Sequence, residues 1–144
     1  MKMKFIFYIL ALIAGASLGI EAALGGLLSE EIGNLESTLY IFIMGSLVLI
    51  LAIVFFGKGD LSKIPRQRTW QIGGGILGAI GMTLLFTSVT FIGVGISLTS
   101  VIIGQLLTGI VIDHLGLFGS PKYNIDRYRL IAVLLLFLSL YFIL

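Results

Sequence analysis

The chain has 144 residues, 58% hydrophobic and 11% charged, and its mean hydropathy of +1.16 lies well outside soluble norms. A formal charge of +2 does not point to nucleic acid, because the basic residues act as signals of membrane topology. With no Cys and one His, disulfide and thiol chemistry are excluded and a zinc or iron site is not expected.

Crossing a hydrocarbon core of about 30 Å takes about 20 mostly apolar residues. Five such segments are predicted, at 5–28, 38–56, 70–91, 94–112 and 126–144. They leave no room for a soluble domain, so an all-α membrane protein is expected, with residues 1–144 forming a single five-helix transmembrane domain. The first segment begins like a secretory signal, with Met1-Lys-Met-Lys4 and then Ala14-Gly-Ala16 as a cleavage-like site. The apolar stretch continues past Ala16 to Leu28, too long for a signal core, and a retained helix is expected. It carries a ladder of small residues, Ala11, Gly15, Gly19, Ala22 or Ala23, and Gly26, of the kind that lets helices approach closely in lipid.

Glu21, within the same segment, lies about 6 Å outward of the span centre at 1.5 Å per residue. A carboxylate at membrane depth costs several kcal/mol unless protonated, paired or facing water. The basic residues all fall at the opposite interface, so no partner can be named within the chain. A carboxyl out of water favours its neutral form, the property a proton-exchanging site needs. The bland alternative is a neutral Glu21 hydrogen-bonded to Ser17 or to another helix.

An acidic loop is expected at 29–37, with Glu30, Glu31 and Glu36 reinforcing topology. The second segment is large and apolar apart from Gly45-Ser46. Gly57-Lys-Gly-Asp60, Ser62 and Pro65 break it into a loop. Trp70, like Tyr8, reads as an interface anchor. Gly73, Gly74, Gly75, Gly78 and Gly81 then suggest a tightly packed third helix. The fourth span follows a charge-free turn at Ile92–Gly93 and is unusually polar, with Ser97, Thr99, Ser100, Gln105 and Thr108. Ser100, Gly104 and Thr108 share a face. The hydroxyls most often bond back to their own helix, whereas Gln105 either glues helices or contacts substrate. Asp113-His114 ends the span as an interfacial hydrogen-bonded motif, Gly116 to Pro121 forms a turn, and Asn124 is a candidate cap for the last helix.

All nine Lys and Arg, from Lys2 and Lys4 through Lys58, Lys63, Arg66 and Arg68 to Lys122, Arg127 and Arg129, fall on one face of this arrangement. Basic residues near span ends stay cytoplasmic, which places the N-terminus inside and the C-terminus outside.

Gly73-Gly-Gly-Ile-Leu-Gly78, Gly104-Gln105 and Asp113-His-Leu-Gly-Leu-Phe-Gly119 with Pro121 resemble a five-helix branch of the drug/metabolite transporter superfamily. Its members are described as prokaryotic inner-membrane exporters of unknown function. The resemblance covers nearly the whole chain and implies half of a 5+5 inverted-repeat transporter. At positions 21 and 25 that family often carries Gln and Asn, from which Glu21 and Gly25 depart. Small multidrug-resistance proteins place an essential Glu in their first helix, and Glu21 is similar in placement.

The expected function is proton-coupled efflux of a small cationic or amphipathic metabolite or drug by alternating access. Glu21, Ser17, Ser100, Gln105 and Thr108 would line the site, and Gly15, Gly19, Gly74, Gly78, Gly81 and Gly104 would pack the helices. No cofactor is expected. The expected partners are the lipid bilayer, a small-molecule substrate, and an antiparallel five-helix paralogue or a second copy. The one-sided charge favours the paralogue, since a second copy would have to insert the other way up. The competing reading is an accessory membrane subunit that packs against a larger partner. Catalysis is disfavoured, for the sequence offers no nucleophile–base pair.

Overall fold

Gly33 alone separates the first two helices, α1 (Lys2–Ile32) and α2 (Asn34–Phe56). Its backbone, at φ 100° and ψ 154°, lies where an L side chain is strained. This computed structural model describes residues 2–123 and 126–144, with side chains from Phe5 onward except at Thr69. The 29–37 stretch is therefore helical apart from Gly33 rather than a loop. Glu30 and Glu31 lie in the last turn of α1 and Glu36 in the first turn of α2. Of the N–H groups that open α2, that of Gly33 donates to Ser29 O at 3.0 Å, and Glu36 places an acid in the first turn, where the helix dipole favours it.

A 3-10 helix at Leu61–Arg66 follows, and then two helices broken at Gly73, α3 (Thr69–Ile72) and α4 (Gly74–Ile92). The turn at Gly93 repeats the Gly33 device, with φ 79° and ψ 166°. Each of these glycines is followed four residues on by a fully buried serine, Ser37 or Ser97. Helix α5 (Val94–Leu115) ends at Gly116, left-handed at φ 64° and ψ 36°, whose N–H donates to Ile112 O. A short 3-10 turn at Leu117–Gly119 leads to α6 (Arg127–Ile143). The cap expected at Asn124 lies outside the described residues.

Among the described residues, four helical stretches are long and apolar enough to cross a membrane: Phe5–Ile32, Asn34–Phe56, Trp70–Ile92 and Val94–Leu115. Helix α6 is not among them. Its 17 residues reach about 25 Å at 1.5 Å per residue, the bottom of the spanning range.

The chain divides into two compact units, Met1–Phe91 and Ile92–Leu144. In the first, the packed core lies wholly toward the Gly33 turn. It comprises Ala22, Gly25, Gly26 and Ser29 of α1, Ser37 and Thr38 of α2, and Leu85, Phe86 and Val89 of α4. Phe86 is 0% exposed. A Cβ added at Gly25 would overlap its ring, and one at Gly26 would overlap Val89. Small residues here let the helices close. Hydroxyls then tie them together: Ser37 Oγ donates to Gly25 O at 3.1 Å, and Thr83 Oγ1 to Thr38 Oγ1 at 3.2 Å. Away from that end the large apolar side chains of α1, α2 and α4 are exposed, a surface suited to hydrocarbon and not to water.

In the second unit α5 packs on α6, with Ser97, Ile103 and Val133 buried. Arg129 Nη1 donates to Asp113 Oδ2 at 2.7 Å across the two helices. Tyr123 N donates to Asp113 O at 2.9 Å and folds the connection back on α5.

Candidate functional site

One turn of α1 before Gly25, the helix presents Ser17, Ile20, Glu21 and Leu24 on one side, at the spacings that share a helical face. With Ile41 of α2 they line an open-sided groove of about 380 Å³. The lining is apolar except for Ser17 and Glu21. Ser17 is exposed and Glu21 half-buried. Neither side chain has a hydrogen-bond or ion-pair partner among the described residues, so Glu21 is not tied to Ser17 as a structural carboxyl would be. The groove is thus an apolar concavity that carries one carboxyl and one hydroxyl. Ile41 contributes a wall that sequence reasoning missed, since nothing in an aliphatic helix marks which residue faces a neighbour.

Ser100, Gly104 and Thr108 lie on an exposed face of α5, with the exposed Gln105 beside them. The hydroxyls of Ser97, Thr99 and Ser100 donate to Gly93 O, Gly95 O and Ile96 O at 2.7, 2.8 and 2.9 Å. They satisfy their own helix, as hydroxyls in apolar surroundings do, and keep acceptor lone pairs only. Gln105 and Thr108 have no side-chain partner among the described residues. Ser100, Gln105 and Thr108 belong to the second unit and Glu21 to the first.

A Cβ at Gly15, Gly74, Gly81 or Gly104 would meet nothing within 4 Å, and one at Gly78 would make ordinary contact with Phe42 at 3.8 Å. Gly19 is half-buried. Between helices of the first unit, close approach is seen at Gly25, against Phe86, and at Gly26, against Val89. Gly26 falls on the small-residue ladder read from the sequence, and so does the buried Ala22. Gly25 does not, although its doubling with Gly26 was a signal to be had.

Asp113 and His114 stand in the last turn of α5. Asp113 is the half of the pair with Arg129 that sequence reasoning found, and His114 is exposed. Arg129 was counted for topology alone. An acid closing one span and a base opening the next on the same face was the available clue. Outside the spans, Asp60 is held below the usual carboxylate range because it accepts from the Ser62 hydroxyl, then from the Ser62 backbone N–H, with Lys63 adding to the effect.

A family model described as "Putative inner membrane exporter, YdcZ" matches residues 6–142. No curated protein and no solved structure matches the chain.

Proposed function

The chain belongs to the inner-membrane exporter family whose model covers it, and we propose that it is one half of a transporter that exchanges protons for a small cationic or amphipathic compound. It is a multi-pass inner-membrane protein of a transport family; the mechanism is our reading. The observation that carries it is Glu21, a half-buried carboxyl without a partner among the described residues, in an apolar groove of about 380 Å³. Carboxyls at membrane depth mark ion and substrate pathways. In this reading the deprotonated form binds the cation and protonation releases it.

The bias of basic residues directs the Gly33 turn outward and both the 57–69 loop and the N-terminus inward. The packed core around Phe86 then lies toward the outside along α1 from Glu21, while the inner lengths of α1, α2 and α4 expose large apolar side chains. With α6 as the fifth span, the 15.6 kDa chain has too few helices to gate a midplane site on both sides. Two five-helix chains of opposite orientation supply inverted repeats that alternate by exchanging conformations. The one-sided charge favours an antiparallel paralogue over a second copy as that second chain.

The exposed apolar length of α2 favours a second reading, an accessory subunit covered by a larger membrane partner. Uptake of tetraphenylphosphonium into inside-out membrane vesicles, driven by a pH gradient, separates the two. The transporter reading expects uptake that Glu21→Gln abolishes while the variant still assembles. Uptake unchanged by Glu21→Gln would overturn it and leave the accessory reading.

A further inference from the structure

The 57–69 connection is short, yet it is neither extended nor featureless. Its centre is a 3-10 helix, Leu61–Arg66, in which residues three apart eclipse one another. That period sorts the six side chains into three edges. Leu61 and Ile64 form one, Lys63 and Arg66 another, and Ser62 and Pro65 the third. Leu61 is 62% exposed and Ile64 47% exposed. Two aliphatic side chains beside two basic ones on a single short turn make an amphipathic element. With Lys58 and Arg68, the stretch has four basic side chains against one acid, Asp60.

The turn is held by its own bonds. Asp60 accepts from Ser62 N at 3.1 Å and from Ser62 Oγ at 2.6 Å, and Gln67 N donates to Ile64 O at 3.0 Å. Pro65 fixes the backbone further. Lys63 reaches Asp60 at 3.6 Å, but both are mostly exposed, so the contact holds the ammonium weakly. The element hangs between two candidate spans, one ending at Phe56 and the next beginning at Trp70. Both tethers keep it at the membrane boundary. There an aliphatic edge enters the acyl region and a basic edge meets the headgroups, as in interfacial amphipathic helices.

We infer that the Leu61–Arg66 turn is a docking surface for anionic phospholipid, with Leu61 and Ile64 inserted at the interface and Lys63, Arg66 and Arg68 on the phosphate-bearing headgroups. The complementarity is of charge and of polarity together: anionic headgroups of the leaflet that holds the loop attract each nearby Lys or Arg, about fivefold in affinity for each. The surface is independent of the Glu21 groove, and it would anchor the one long connection of the first unit whatever that groove carries.

Trp70 is the chain's one tryptophan and stands at the end of this connection, which supplies the assay. The full chain in nanodiscs is measured by energy transfer from Trp70 to dansyl-labelled phosphatidylglycerol, and in parallel to dansyl-labelled phosphatidylcholine. Greater transfer to phosphatidylglycerol is expected, falling toward the phosphatidylcholine value at about 0.5 M sodium chloride, where charge is screened within a few Å. Lys63→Gln/Arg66→Gln should abolish the preference, and Leu61→Ser/Ile64→Ser should lower transfer to both lipids. Lys122→Gln/Arg127→Gln, in another basic segment, should leave the preference intact, which separates local docking from bulk charge. Equal transfer to both lipids at low salt, or a preference retained by Lys63→Gln/Arg66→Gln, would overturn the inference. Loss of the preference in millimolar inorganic phosphate at constant ionic strength would overturn it too, by showing a site for free phosphate.

Discussion

Gly25 and Phe86 should behave as one packing unit, and a double-mutant cycle measures how strongly. A methyl at Gly25 overlaps the Phe86 ring, and the ring is 0% exposed and cannot swing away. Overpacking of this kind costs about 1–3 kcal/mol. Phe86→Ala leaves a hole instead. In lipid the transfer term is small, because hydrocarbon outside is as apolar as the core. What remains is the cavity term, and about 100 Å³ at roughly 24 cal/mol per Å³ gives about 2 kcal/mol. In the double variant the new methyl enters the vacated space, so the combined cost should fall short of the sum by about 1–2 kcal/mol, within the range for residues in contact. Unfolding of the detergent-solubilised monomer by steric trapping gives all four free energies. Gly15→Ala and Gly74→Ala, where added methyls meet open space, should stay within about 0.5 kcal/mol of wild type. Additive single-site effects to within about 0.5 kcal/mol, or a Gly74→Ala as costly as Gly25→Ala, would refute the reasoning.

Asp113 and Arg129 are 30% and 39% exposed, between a surface pair and a buried one, so Asp113→Asn should destabilise α5–α6 packing by about 1–2 kcal/mol, and the exchange Asp113→Arg/Arg129→Asp should restore much of it in the same unfolding assay. Because Asp60 is held below its ordinary value of 3.8, its capping is fully present above that value and is lost as pH falls through the lower, folded one. The Ser62 amide resonance should therefore be constant from neutral pH to about pH 5 and shift only under strong acid; a shift centred near neutrality would contradict the assignment. Reporter fusions after Leu144, one active only outside and one only inside, should give activity from the outside reporter alone, and equal activity from both would show dual insertion and remove the need for an antiparallel paralogue.

The helices were legible because each apolar stretch is long and its breaks are written in Gly, Pro and charge. Gly93, where α4 gives way to α5, is such a break. The 29–37 stretch was not legible as helix, since Glu30, Glu31 and Glu36 look like loop residues while a single positive-φ Gly33 suffices to reverse the chain. Glu21 stood out by its charge in an apolar field. Ile41, which shares its groove, and Phe86, which covers Gly25, did not, because an aliphatic or aromatic residue on an apolar helix carries no mark of which side it faces. The glycines fell between these cases. A small residue shows where approach is permitted, and only the facing side chain, Phe86 at Gly25 or Val89 at Gly26, decides where it occurs.

The central claim is that Glu21 exchanges a proton for a cation, and the proton released on binding tests it most directly. Calorimetric titration of the purified protein with tetraphenylphosphonium, in two buffers of different ionisation enthalpy, counts that proton. Binding is expected to release protons and to weaken as pH is lowered, because protonation removes the charge the cation meets. Glu21→Gln should lose proton release and pH dependence together. Binding by the wild type with no proton released, or release undiminished in Glu21→Gln, would contradict the account.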